Sequence, residues 1–198
     1  VLAAVLDTCV LFNGLTRDLL LSLVAFDSYR LVLTEANIEE IEDVETRKLM
    51  KQGHDRELAE RRAAFLASQL RENFEVVCRS RSTLVAPVGL PDPDDEHLVA
   101  AAVAGGAEVI VTANFKDLPD HLLPSGVRTQ DAPSFLHDMI CADPGKAASA
   151  LLAMSERRRT PPQSELDILG LLVLKGQLRP STAEIVRSAL SRMREDHR

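Results

Sequence analysis

The sequence has no tryptophan, one tyrosine and six phenylalanines among 198 residues, too few aromatics for an array of stacking platforms for single-stranded nucleic acid. Its three cysteines, Cys9, Cys78 and Cys141, are scattered and odd in number. Without C-x-x-C spacing they suggest neither a disulfide framework nor a zinc knuckle, and a reducing cytoplasm is the expected compartment. No apolar run approaches the roughly 20 residues of a membrane span, Ile168 to Leu174 being too short. Val1 to Leu6 is apolar but lacks a basic flank and runs into Asp7, so it reads as a strand and not as a signal peptide. Positive charge is also in short supply. Lys and Arg number 23 against 30 Asp and Glu, giving net −7 and a pI near 5.3, which argues against coating nucleic acid or anionic membrane by general basicity. What is present, 45% hydrophobic and 27% charged residues, describes a soluble globular chain long enough to bury a core.

Along the chain, apolar strand-like runs alternate with helical periodicity. Residues 1–7 read as a buried parallel strand, Leu15 to Phe26 as a helix and Tyr29 to Leu33 as a second strand. Thr34 N-caps a helix to about Met50 with Ile38, Ile41, Val44 and Leu49 inward, and Arg56 to Asn73 follows as another. Phe74 to Val77, Glu108 to Thr112 and Val127 to Thr129 complete the strands. The segment from Pro91 to His97 opens a helix through Ala104, and Pro133 to Ile140 forms the next. This order predicts an α/β domain with a mainly parallel sheet over residues 1–142. Beyond it, 143–198 carries only helical signals, at Lys146 to Arg159, Gln163 to Lys175 and Thr182 to Arg194. The two parts differ in charge: residues 1–140 hold 13 basic and 23 acidic residues, whereas 141–198 hold 10 and 7.

Ligands of open parallel sheets bind beyond the carboxyl ends of the strands. Asp7 and Thr8 sit there after the first strand, and Thr112 and Asn114 after Val109 to Val111. A strand-terminal Asp serves equally well as a turn-former or helix cap. Asp95 falls among Leu98, Val99, Ala102 and Val103 on one helix face, where an ionised carboxylate needs a partner or a metal. Asp92 as N-cap before Pro93 is also ordinary capping chemistry. Glu40 lies at the edge of its helix's apolar stripe, with Glu42 and Glu45 as alternatives, while Glu39 and Asp43 point to solvent. Carboxylates converging from several element ends repel one another unless a cation neutralises them, and hard oxygen donors of this kind suit Mg²⁺ or Mn²⁺. Such a centre can polarise a phosphodiester and acidify water. Other chemistries fit less well. A haloacid-dehalogenase-type phosphatase needs an acid where Cys9 stands, no G-x-G-x-x-G follows the first strand, and the spacing from Asp92 to Asp95 is not that of an EF-hand. His97 reads as a helix-surface residue.

With these residues assembled, the chain resembles the PIN-domain ribonucleases, in particular the VapC toxins of bacterial toxin–antitoxin pairs. Four stretches carry the resemblance: Leu6 to Leu11, Thr34 to Ile41, Asp92 to Ala102 and Val111 to Pro119. It implies a PIN-like three-layer α/β/α domain followed by a helical C-terminal extension, and a Mg²⁺- or Mn²⁺-dependent endoribonuclease that acts in the cytoplasm. Asp7, Glu40, Asp95 and Asp117 are then the metal and catalytic residues, with Thr8 supporting Asp7 and with Thr112 and Asn114 orienting ligands. Many members carry Asp at the position of Asn114; a branch has Asn there with an Asp three residues later, a role Asp117 fits, so Asn114 and Asp117 are alternatives for completing the metal site, and Asp92 and Asp94 are further acids open to it. RNA is the implied substrate, a cognate antitoxin protein the implied partner, and a homodimer a further implied assembly. A silent PIN-fold binding module and a housekeeping RNA-processing nuclease are the competing readings. Arg157, Arg158 and Arg159 suit either RNA contact or the C-terminal dipole of their helix.

Overall fold

The computed structural model describes residues 1–77 and 85–196; Cys78 lies outside the described residues. The described residues group into two compact units.

The first unit comprises Ala3–Phe12 and Leu31–Gln130 and holds the sheet, in the order β3-β2-β1-β4-β5. Its strands are β1 (Ala3–Leu6), β2 (Arg30–Thr34), β3 (Glu75–Val77), β4 (Val109–Val111) and β5 (Arg128–Gln130). Pairing is parallel between β1 and β4, β2 and β3, and β4 and β5. β1, β4 and all of β2 beyond Arg30 are buried, as their continuous apolar runs require. The chain proceeds outward from β1 through β2 to β3, then returns to the other side of β1 for β4 and β5. That reversal opens a crevice at the carboxyl ends of β1 and β4.

Thr34 caps α3 (Glu35–Lys51) in a reciprocal capping box with Asn37, and Asp55 caps α4 (Arg56–Asn73). The buried stripe of α4 is Ala59, Ala63, Ala67 and Leu70, small side chains that let α4 lie close against α3. Val5, Val32, Val77 and Ile110 of the sheet form one core with Leu98, Val99, Ala101 and Ala102 of α5 (Glu96–Gly105).

Three local features differ from the sequence reading. A four-residue helix, α1 (Thr8–Leu11), follows β1 directly because the Asp7 side chain accepts from the Cys9 N–H. The helix expected from Pro91 opens instead as a 3₁₀ turn, Pro93–Asp95, before α5. Val103, expected on the buried face, is 43% exposed while Ala101 is buried: the buried stripe of α5 runs through Leu98, Val99, Ala101 and Ala102, and at 100° per residue Val103 falls roughly 120° from its centre.

The second unit comprises Val1–Leu2, Asn13–Arg30 and Asp131–Arg198. Its helices are α2 (Gly14–Ala25), α6 (Ala132–Ala142), α7 (Pro144–Arg157), α8 (Glu165–Leu174) and α9 (Pro180–Asp196); α7 packs against each of the other four, and α9 also against α6 and α8. The T-shaped pair of Tyr29 and Phe135, with ring centroids 4.9 Å apart, lies in its core. Arg158 donates to Asp18 at 2.5 Å and to Gln163 at 3.0 Å, and Arg157 donates to Ser22 at 2.7 Å. Two of the three consecutive arginines therefore tie this unit together.

Gly105 sits against the sheet so closely that a Cβ there would lie 2.4 Å from Val32 Cγ1 and 3.2 Å from Val77 Cγ2. Gly105→Ala is expected to destabilise the protein by about 1–3 kcal/mol despite its better helix propensity. A lowered urea midpoint that Val32→Ala partly restores is the confirming result; an unchanged midpoint contradicts the packing argument.

Candidate active site

Parallel pairing of β1 with β4 sets Leu6 opposite Val111. The next residues, Asp7 and Thr112, therefore emerge side by side at the crevice. Asp7 N–H donates to the Val111 carbonyl at 3.0 Å, and the Thr112 hydroxyl donates to Asp7 Oδ2 at 2.5 Å. Both side chains are buried. The Cys9 N–H donates to Asp7 Oδ1 at 3.1 Å and the Cys9 thiol to Oδ2 at 3.1 Å. Burial and the neighbouring Asp7 charge push the thiol up to about 11, so at neutral pH it is a protonated donor.

α3 delivers the second acid. Glu40 is half exposed and accepts from the Thr8 hydroxyl at 2.7 Å. Thr8, assigned by the resemblance to the support of Asp7, thus holds Glu40 instead. Of the two alternatives on α3, Glu45 pairs with Lys48 at 3.1 Å and Glu42 is half-buried, and neither lines the cavity that Glu40 enters; Glu39 and Asp43 are exposed, as expected.

The third acid, Asp95, is the N-cap residue of α5 and half buried. Asn114 donates its side-chain amide to Asp95 Oδ2 at 3.2 Å, and its backbone N–H donates to Thr112 Oγ1 at 2.8 Å. Asp92, Asp95 and Asp117 each present a carboxylate oxygen, all within 4.8 Å of one another. Asn114 and Asp117 therefore approach Asp95 together, one as a donor and one as an acid. Asp7 and Glu40 stand outside that trio but share with Asp95 and Asn114 a cavity of about 530 Å³. Thr112, Thr8 and Asn114, the three supporting residues expected from sequence, each hold a different acid.

Desolvation raises the Asp95 carboxyl from 3.8 to about 6, reinforced by the negative charges of Asp7, Asp92 and Asp117 and opposed by His97. Neutral hydrogen-bond donors position these acids without cancelling their charge. The donor set, hard oxygens at close range with uncompensated repulsion, fits a divalent cation of the Mg²⁺ or Mn²⁺ kind.

Several participants went unassigned in the sequence. Cys9, read only as a lone cysteine, touches Asp7. Glu96 accepts from the N–H groups of Val88, Gly89 and Leu90 at 2.7–2.9 Å, pinning the loop that leads into the acidic turn, and those bonds hold its carboxyl below the usual range. His97 is less of a surface residue than expected: its Nδ1 donates to the Asp94 carbonyl at 2.6 Å, while Asn37 Nδ2 lies 3.2 Å from Nε2. Only the acid-rich start of α5 hinted at these roles.

Residues 3–116 match the family model described as PIN domain. The chain belongs to the PIN-domain family. The matched stretch includes Asp7, Glu40, Asp95 and Asn114 and ends one residue before Asp117. Over 80 residues the chain is 38% identical to "Putative ribonuclease VapC50" of Mycobacterium tuberculosis (strain ATCC 25618 / H37Rv). That alignment takes in 38% of this chain and 47% of the relative, so about half the relative's length is spanned. No solved structure matches the chain. Among the described residues no helix is long and apolar enough to cross a membrane.

The raised Asp95 carboxyl has a pH signature. Between pH 3.8 and about 6 the folded protein keeps a proton that the unfolded chain releases, so this contribution to stability falls as pH rises through that window. Without divalent cation, Tm is expected to decline from pH 4 to 7 more steeply for the parent than for Asp95→Asn, whose amide does not titrate. Parallel Tm curves for the two proteins would count against the crowding of acids around Asp95.

Proposed function

We propose that the protein is a divalent-metal-dependent endoribonuclease, the toxin of a toxin–antitoxin pair. The observation that carries this reading is the crowding of Asp7, Asp92 and Asp117 around Asp95 beside an open cavity. A scaffold that only binds RNA or protein has no use for mutually repelling acids. Membership of the PIN-domain family and the partial likeness to a protein named as a ribonuclease support the same reading.

Asp95 and Asp117 are the residues we assign to a Mg²⁺ or Mn²⁺ ion, with Asp92 as a third candidate and with Asp7 and Glu40 completing the acidic site directly or through water. When bound, such an ion neutralises phosphate charge, polarises the phosphoryl group and lowers the pKa of water. The chain's own contribution is to fix the acids. Thr112 and Cys9 hold the Asp7 carboxylate in a buried position, Thr8 orients Glu40, and Asn114 orients Asp95. All these residues lie within the first 142, which we assign to the nuclease domain, with 143–198 as a helical extension that shares its compact unit with Asn13–Arg30 and the segment from Asp131 of that domain. The same acidic cavity suits a basic segment of a cognate antitoxin, whose insertion would occupy the site and silence it.

The test is cleavage of total RNA with Mn²⁺ or Mg²⁺. The parent should cleave, EDTA should stop it, and Asp7→Asn should lower the rate by at least about a hundredfold with unchanged circular dichroism. Cleavage by Asp7→Asn at the parent's rate would disprove the site assignment.

A further inference from the structure

The cavity at the acidic site continues beyond the acids. One face of α3 lines it through Glu40, Val44, Arg47, Lys48 and Lys51, a span of twelve residues that extends about 16 Å along the helix axis. Glu40 marks the acidic end, where Thr8 ties it beside Asp7. Three cations, Arg47, Lys48 and Lys51, follow on the same face; Arg47 stands in an exposed pair with Asp43, of the weak kind a phosphate can displace, and Lys48 is paired with Glu45. Arg47 and Lys51 are exposed, and Lys48 sits 5.7 Å from the ring centroid of Phe12, which also lines the cavity and is 49% exposed.

We infer that Phe12, Arg47, Lys48 and Lys51 form a strand-binding subsite for single-stranded RNA, an inference that rests on the nuclease reading above. A cationic track beside an exposed aromatic face is the combination that holds single-stranded nucleic acid: phosphates follow the cations and a base stacks on the ring. In a duplex the base faces are already stacked, so Phe12 selects an unpaired base. Composition ruled out an array of stacking residues, but the fold sets one phenylalanine at the mouth of the acidic site. The arrangement also disfavours an acidic peptide, because Asp7, Glu40 and Asp95 repel carboxylates at the other end of the cavity. A phosphodiester strand spans both ends, with its scissile phosphate at the metal-dependent end and a flanking phosphate against Arg47 or Lys51. These four are positioning residues.

Fluorescence anisotropy with a labelled single-stranded oligoribonucleotide, on the full chain in EDTA, separates binding from cleavage. Lys51→Glu and Phe12→Ala should each weaken binding about tenfold, whereas Phe12→Tyr, which keeps the ring, should bind as the parent does. Lys51→Ala should reduce the slope of log affinity against log salt by about 0.7, the signature of one lost phosphate contact on a single strand. In cleavage assays with Mn²⁺ these variants should raise KM and leave kcat near the parent value. Equal oligonucleotide affinity for parent, Lys51→Glu and Phe12→Ala overturns the subsite, as does capture of an acidic peptide in place of the oligonucleotide. A parent that binds RNA through these residues yet shows no metal-dependent cleavage would refute the nuclease reading and leave the subsite standing.

Discussion

The pairing of Leu6 with Val111 across the parallel β1–β4 ladder is the constraint on which the site depends. Because the two strands run in one direction, their carboxyl ends meet at one edge of the sheet, and the residues that follow arrive in register. A slip of one residue would turn each side chain to the opposite face and separate Asp7 from the Thr112 hydroxyl. The switch in strand order at this same pair leaves the edge open, so an otherwise buried sheet presents polar groups to an accessible cavity.

Electrostatic tension is then concentrated around Asp95. A carboxylate relieves burial by pairing with a cation, by accepting hydrogen bonds or by keeping its proton. Asp7 takes the second route, with three donors from Cys9 and Thr112. Asp95 has a single long bond from Asn114 and several negative neighbours, and its carboxyl rises accordingly. Donors that are neutral orient the acids but leave the charge in place. Asp7, Asp92 and Asp95 are also N-cap residues, but capping alone does not account for the close approach of Asp92, Asp95 and Asp117, a grouping that could hold a cation.

Charge is distributed as unevenly as geometry. The sheet unit carries the acidic excess, yet its α3 face changes from Glu40 to Arg47, Lys48 and Lys51 within three turns. Net charge therefore says little about this protein's capacity for nucleic acid, because the relevant field is local and the acids at the site are screened when a cation is bound. In the helical unit the arginines that looked most like a nucleic-acid contact are largely occupied: Arg158 by Asp18 and Gln163, Arg157 by Ser22. Glu165, buried, is paired with Arg194. Cations there serve packing before anything else.

Local pattern carried the strands, the Thr34 cap and the boundaries of α4, because apolar periodicity, capping chemistry and helix breakers act over a few residues. It also singled out Asp7, Glu40, Asp95, Thr8, Thr112 and Asn114 as polar groups near strand and helix ends, while Asp117 came only from the resemblance to PIN-domain ribonucleases. It could not partner them. Thr8 is next to Asp7 in sequence, yet its hydroxyl serves Glu40, because α1 begins at Thr8 and α3 passes alongside. A 3₁₀ turn, in which side chains three apart eclipse, sets Asp92 on the side of Asp95 and Asp117, and the start of α1 brings the Cys9 thiol to Asp7. Val103 came out exposed because the buried stripe of α5 is centred on the side of Ala101 and Leu98. Which acids stand near strand and helix ends was thus legible in the chain. Their grouping, their hydrogen-bond donors and the raised Asp95 carboxyl were decided by strand register and close packing, which bring together residues up to 105 positions apart and which no short window of sequence contains.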